Sequence, residues 1–372
     1  MTMPMPISDQ LPGDGRGRRR VLALIPARNE SERIGAAIAG LYAQTLVPDE
    51  IIAVTNNCTD NHATAIVARD AGAAVLDLHG VVAKKAGALN LALEEILPDL
   101  DGDDLVLIQD ADTVLNPAFV EHASAAMRRR VGAVGGVFYG EAGGGLLGQL
   151  QRNEYHRYAW EIARNGDRAV VLTGTASLFR VRVLRQIRAA RISGKLGKRG
   201  GGTSYYSLAS LTEDDEITKA VKTLRYRTVS PAKCTVTTEV MDTLPALWNQ
   251  RIRWQRGALE NLRDYGLTRV TAPYFGKQIM MGLGALAFGL YLAFVVLELY
   301  YLGTIGFSPF WTALGVVFVV EKVVSVWRGG WRARLIACVL VIELAYDLFQ
   351  HAVYFRALID LMLRREEHWV AT

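Results

Sequence analysis

Apolar and polar positions divide the chain into two regimes. Val21-Leu22-Ala23-Leu24-Ile25-Pro26 is a short apolar run closed by proline, the form of a strand buried on both faces. Ser31 to Leu41 follows, with Ile34, Ala37, Ile38 and Leu41 at helical spacing. The alternation then repeats: strand Ile51-Ile52-Ala53-Val54, helix Ala63 to Ala71, strand Ala74-Val75-Leu76, helix Ala86 to Leu97, strand Leu105-Val106-Leu107-Ile108. Strand and helix in turn predict a doubly wound α/β domain over residues 21–240. In such sheets ligands sit beyond the carboxyl ends of the strands. Asn56, Asp60 and Asp110 all fall there. Gly140 to Gly148 and Gly194 to Gly202 read as flexible loops. The second is basic and could cover a phosphate-bearing substrate.

The remainder of the chain changes character. Over residues 241–275, Leu244, Trp248, Ile252, Leu259 and Leu262 recur near helical spacing with Arg251, Arg253 and Arg256 among them. That is a basic amphipathic helix of the interfacial kind. Residues 276–360 read as a membrane region of about three helices. Ile279 to Ile305 carries a single charge, Glu298, and is long enough to span. Phe307 to Trp327 is interrupted by Glu321 and Lys322. Leu335 to Tyr354 is apolar apart from Glu343, Asp347 and His351, which are spaced by four and so form one stripe on a helix. The stripe reads as a helix partly at the interface, as a stripe buried against a neighbour, or as the polar lining of a sugar path. Arg328, Arg332 and Arg334 put the intervening loop on the cytoplasmic side, together with Lys277 and the α/β domain. The same count sends the 361–372 tail, with Arg364 and Arg365, to the opposite side against that trend, unless the third segment does not fully cross.

Composition agrees with this division. Of 372 residues 51% are hydrophobic, although 21% are charged; mean hydropathy is +0.15 and the pI about 9.1. A formal charge of +5 suits anionic lipid and phosphates. It does not point to nucleic acid, because the arginines are dispersed and lack flanking aromatics. Cys58, Cys234 and Cys338 are far apart and fit neither a zinc site nor a disulfide framework. Residues 1–20 hold Arg16, Arg18, Arg19 and Arg20 without an apolar core, which predicts a basic tail and no secretory signal.

Three clusters could carry chemistry. Asp110-Ala111-Asp112 ends a buried strand, and in extended chain the two carboxylates would point the same way. Two hard carboxylates facing a diphosphate can share one Mg²⁺ or Mn²⁺ with it. Thr212-Glu213-Asp214-Asp215 reads either as a capped helix start or as the setting of a general base. Gln250, Arg253 and Trp254 combine an amide, a bidentate phosphate binder and a stacking surface, or simply belong to an amphipathic helix.

Taken in order, these motifs resemble family 2 glycosyltransferases, specifically the processive membrane branch that includes cellulose, chitin-oligosaccharide, hyaluronan and poly-N-acetylglucosamine synthases. The resemblance covers roughly residues 21–260. It rests on Ile25-Pro26-Ala27-Arg28-Asn29-Glu30, Asn57-Cys58-Thr59-Asp60, Lys85-Ala86-Gly87-Ala88-Leu89-Asn90, Asp110-Ala111-Asp112, Gly174-Thr175 with Phe179-Arg180, Thr212-Glu213-Asp214 and Gln250-Arg251-Ile252-Arg253-Trp254. It implies a GT-A fold, a UDP-sugar donor, inversion at the anomeric carbon and a saccharide or lipid-linked acceptor. By motif, Glu30, Asn56, Lys85 and Asp110 would meet the nucleotide and its diphosphate, and Asp110 and Asp112 the Mg²⁺ or Mn²⁺. Asp214 would be the base, Gln250 and Arg253 would contact the diphosphate, and Trp254 with Glu213 the acceptor. The family often has Asp where this chain has Asn56. Relatives usually have membrane helices ahead of the catalytic domain, and none is expected here.

The expected protein is therefore a multi-pass inner-membrane enzyme, its catalytic domain cytoplasmic, adding β-linked hexoses or N-acetylhexosamines to a growing saccharide. Transfer of one sugar to a lipid or protein acceptor is the alternative, and an inactive nucleotide-sugar-binding scaffold a third reading. With so few membrane helices, homo-oligomers would have to supply any conduit.

Overall fold

The computed structural model describes residues 19–197, 202–304 and 308–365. Arg16, Arg18, Phe307, part of the second glycine-rich stretch and the end of the tail lie outside them. Chain order is β1 (Val21–Ala27), α1 (Ile34–Tyr42), β2 (Glu50–Asn56), α2 (Ala63–Asp70), β3 (Ala74–Leu78), α3 (Lys84–Ile96), β4 (Leu105–Gln109), β5 (Val114–Leu115), α4 (Phe119–Ala126), β6 (Val131–Gly135), β7 (Val137–Gly140), α5 (Gly145–Arg164), β8 (Ala176–Arg180), α6 (Val181–Ile192), α7 (Glu213–Thr223), β9 (Arg227–Val229), β10 (Thr235–Thr238) and α8 (Leu244–Tyr265). Beyond these come α9 (Ala272–Leu302), α10 (Pro309–Ser325), α11 (Gly330–Cys338) and α12 (Leu340–Met362).

A seven-stranded sheet runs β3-β2-β1-β4-β8-β6-β9, and a small second sheet runs β5-β10-β7. The first four strands are parallel, whereas β8 is antiparallel to both of its neighbours. The apolar runs of β1, β2 and β4 are continuous because both faces are covered. Leu22, Leu24, Ile52, Val54, Val106 and Ile108 pack with residues of α3, α6 and α7. Val21, Ala23, Ile25, Ile51, Ala53 and Leu107 pack with residues of α1, α2 and α4 on the other face.

The first glycine-rich stretch is not a loop throughout: α5 begins inside it at Gly145. A Cβ at Gly148 would lie 2.4 Å from the Gly143 carbonyl oxygen, so the absent side chain lets this turn close. The expected interfacial helix is α8, but it is not a helix laid on lipid alone. Leu247, Arg251, Gly257 and Asn261 are buried against protein.

The membrane region differs from the expectation of about three spanning helices. Among the described residues one helix, α9, is long and apolar enough to span; a second candidate exists only if α10 and the helical stretch 327–338, bent by 58°, count together. Segment α12 instead lies along α8. Phe349 packs edge-on to Trp248, and the Arg365 carbonyl accepts a hydrogen bond from Arg256 at 2.5 Å. At its other end Glu343 is fully buried and pairs with Arg157 of α5 at 2.8 Å and Lys322 of α10 at 3.5 Å. Lys322 also holds Asp347 at 2.8 Å, and His351 rests against Phe288 of α9. The polar stripe is thus consumed in contacts with neighbours.

Candidate active site

The site is built where β1, β2 and β4 end. Asn56, the last residue of β2, is buried, and Glu30 follows the β1 strand by three residues. Lys85 lies in the first turn of α3, after a backbone turn with φ of 64° at Ala83 and 57° at Lys84. Gly87 is required there: a Cβ would sit 2.0 Å from the Val82 carbonyl oxygen. Asn90 pins a distant segment beside the site, its side-chain oxygen accepting from the Tyr205 and Tyr206 amides at 3.0 and 2.8 Å.

Asp110 and Asp112 do not sit on extended chain. The backbone turns after Asp110, whose carbonyl accepts from the Thr113 amide at 3.2 Å, and the two carboxylates take different surroundings. Asp110 meets Lys85 at 2.5 Å, and Lys85 also meets Glu213 at 3.0 Å. Burial alone would lower the Lys85 pKa, but Asp110 and then Glu213 outweigh it and hold the ammonium charged above its ordinary range. Burial raises Asp110 to about 6 against the pull of Lys85, so at neutral pH both partners are ionised. Burial would raise Glu213 too, but Lys85 leads the groups that leave it below its usual value, and Arg253 of α8 adds to them.

Asp112 faces other acids. Burial raises its pKa; the Thr113 hydroxyl, which donates to it at 2.9 Å, opposes this, and Glu239 adds to it. Burial, with the charges of Asp112, Glu239 and Asp110, pushes Glu30 up to about 7. The nearby Arg33 is shared between Glu141 and Glu239. Glu239 had no signal in the sequence. It is brought in because β10 pairs with β5, which sets Thr237 opposite Val114.

Asp214 stands in the first turn of α7. Its carboxylate accepts from the Gly174 amide at 3.2 Å and from the Asp215 amide at 2.7 Å. Burial and then the neighbouring Glu213 charge raise it to about 7, with Lys85 opposing. Gly174 is where the groups converge: a Cβ there would lie 3.4–3.5 Å from Lys85 Nζ, Asp110 Oδ2 and Asp214 Oδ2. The gap behind these groups, bordered by Tyr206, Glu213 and Asp214, holds about 10 Å³, room for about one water and not for a sugar.

Helix α8 presses on this turn. Gln250, Arg253, Gly257 and Asn261 share one face. A Cβ at Gly257 would fall 2.4 Å from Thr212 Oγ1, and Asn261 donates to Asp215 at 2.8 Å and to the Thr212 carbonyl at 3.3 Å. Gln250 accepts from Arg251. The guanidinium of Arg251 lies 4.3 Å from the Trp254 ring centre and pairs with Glu154 of α5 at 3.0 Å. Glu154, also bonded by Tyr346 and Gln350 of α12, is a hub that the sequence did not announce.

The mixed sheet, with acids and a lysine beyond the carboxyl ends of its parallel strands, is that of the GT-A class of nucleotide-sugar transferases, as the family match and the shared fold reported next identify it. The chain belongs to the family described as "Glycosyltransferase like family 2", whose model matches residues 18–257. It is 24% identical over 253 residues to a poly-β-1,6-N-acetyl-D-glucosamine synthase of Staphylococcus epidermidis, covering 66% of this chain and 56% of that protein. The like-named protein of Staphylococcus aureus (strain COL) is 25% identical over 259 residues, 68% of this chain and 58% of its own length. The chain thus spans little more than half the length of these relatives. Among solved structures, a mannosyltransferase from Pyrobaculum calidifontis in complex with GDP-Man and Mn²⁺ shares the fold, with a TM-score of 0.60 at 18% identity over 94% of this chain and 89% of that one.

Proposed function

We propose that this glycosyltransferase is metal-dependent and inverting, and moves a hexose or N-acetylhexosamine from a UDP-sugar to a saccharide acceptor, building a β-linked product at the cytoplasmic face of the inner membrane. The observation that carries this reading is the convergence of Lys85, Asp110 and Asp214 on Gly174. It sets a cation and a raised-pKa carboxylate within one small space, suited to an alcohol that bonds to the anomeric carbon as the bond from that carbon to the nucleoside diphosphate breaks. In this reading Asp214 takes the proton of the attacking hydroxyl. Glu30, Asn56 and Asp110 seat the nucleotide. Lys85, Gln250 and Arg253 meet the diphosphate, and Trp254 with Glu213 the acceptor sugar.

A divalent ion fits the chain's donors. Asp112, Glu239 and Glu30 oppose one another electrostatically in a half-buried setting, and a hard cation would relieve that repulsion. Asp112 would be its first ligand, and Asp110, already held by Lys85, would be the second. When bound, Mg²⁺ or Mn²⁺ supplies charge neutralisation for the leaving diphosphate.

Single transfer to a lipid or protein acceptor is the second reading. It is favoured by the pairing of Glu343 and Asp347 with Arg157 and Lys322, which takes these acids out of any sugar-conducting lining. We place α9 across the bilayer with α12 beside α8 at its surface; alkaline carbonate should leave the protein in the membrane fraction. The decisive experiment gives the detergent-solubilised protein UDP-GlcNAc, UDP-glucose and GDP-mannose with Mn²⁺, reading nucleoside diphosphate release and product mass. Turnover with a UDP-sugar, abolished in Asp214→Asn, is expected. Turnover with GDP-mannose alone would overturn the donor, and a single added sugar would decide for the second reading.

A further inference from the structure

A second cluster lies at the edge of the sheet, away from the carboxylates just described. Asp77, near the end of β3, His79 just beyond it and His62, directly ahead of α2, converge so that one ligand atom from each lies within 4.8 Å of the other two. His62 Nδ1 is 3.2 Å from Asp77 Oδ2, and His79 Nε2 is 3.6 Å from that same oxygen. The two imidazoles stand at 83° with centroids 5.9 Å apart, so they do not stack and both can aim at one point.

Both edges at Asp77 match a tetrahedral ion. Bonds of about 2.0–2.1 Å to nitrogen and oxygen give ligand-to-ligand edges of roughly 3.3 Å, and the two measured edges bracket that value. The other Asp77 oxygen accepts from Thr55 Oγ1 at 2.6 Å, which fixes the carboxylate plane from outside, as second-layer partners of metal ligands do. Both imidazoles face Oδ2, the oxygen that Thr55 does not bond. The imidazoles are 61% and 63% exposed, so an ion can enter and water can complete its coordination.

We propose that His62, Asp77 and His79 form a binding site for a borderline divalent ion of the Zn²⁺ class. Two imidazoles and one carboxylate select Zn²⁺, Co²⁺ or Ni²⁺ over Mg²⁺. The site is separate from Asp112. In the order β3-β2-β1-β4 the two sites belong to strands three places apart, about 14 Å at the usual strand spacing. It is independent of the transferase reading.

The test titrates Zn²⁺ by calorimetry, and Co²⁺ by visible absorption, into the full-length protein in detergent after chelator treatment. One saturable equivalent that persists in excess Mg²⁺ and shows tetrahedral Co²⁺ bands is expected. His79→Ala and His62→Ala should each weaken it about tenfold or more without moving the thermal midpoint measured in EDTA, while Asp112→Asn should leave it intact. Zn²⁺ uptake that persists in both histidine variants, or that is lost in Asp112→Asn, would overturn the proposal, as would no saturable binding in the wild-type protein.

Discussion

Asp214 carries two opposed consequences of one environment. Burial and the Glu213 charge raise its pKa to about 7. As the proposed base, Asp214 works only when deprotonated, so transfer should hold a plateau above about pH 7 and fall roughly tenfold per unit below it. Stability runs the other way. The folded pKa lies above the unfolded one, so the carboxyl contributes its full stabilisation below the ordinary carboxylate range and loses it as pH rises through about 7. Asp214→Asn should therefore lower kcat by about 10²–10⁴-fold and yet raise the thermal midpoint at pH 8, measured by turnover and by differential scanning fluorimetry on the same preparation. Asp112 makes the companion case. Chelation should abolish turnover and Mn²⁺ restore it. In Asp112→Asn the Mn²⁺ concentration for half-maximal rate should rise about tenfold or more, because Glu30 and Glu239 remain but the carboxylate proposed as the first ligand is gone.

At the scale of elements, the key contact is the crossing of α8 over the start of α7. Gly257 lets Thr212 approach to a distance no side chain would permit, and Asn261 then ties the same turn through Asp215. Gly257→Ala should cost about 1–3 kcal/mol through overpacking. By lifting α8 from the turn that carries Glu213 and Asp214, it should also lower kcat/KM; a thermal midpoint and a donor-saturation curve read the two effects. This crossing also shows what sequence could and could not reveal. Strands β1, β2 and β4 were legible because both their faces are buried, so their composition is apolar throughout. The motif residues were legible as chemical types in order. What stayed hidden is pairing between segments far apart in the chain. Glu239 enters only through the β10–β5 pairing. Glycines 143–145 look like a loop, although α5 starts within them. Asp112 leaves extended chain because of a turn that no periodicity marks. His62 and His79 carried no pattern, since their convergence depends on the β2–β3 register that sets Thr55 opposite Asp77.

For the whole molecule, the question is what joins the catalytic domain to its apolar helices. α9 presents Leu283, Leu286, Leu290, Phe294 and Leu297 outward, an exposed apolar face that the membrane placement proposed above would cover. α12 has a different task. Its buried Glu343 faces Arg157 from the catalytic domain and Lys322 from α10, so one carboxylate ties three elements together. Removing one member strands a buried charge, whereas removing both need not. Glu343→Leu should therefore destabilise the protein by about 3–5 kcal/mol, and Arg157→Leu with Glu343→Leu should recover most of that loss, as judged by a double-mutant cycle of thermal midpoints in detergent. Had the stripe lined a sugar path, the neutral Glu343→Gln would change product length and leave stability alone. The pairing predicts the reverse: a lower midpoint with an unchanged product mass.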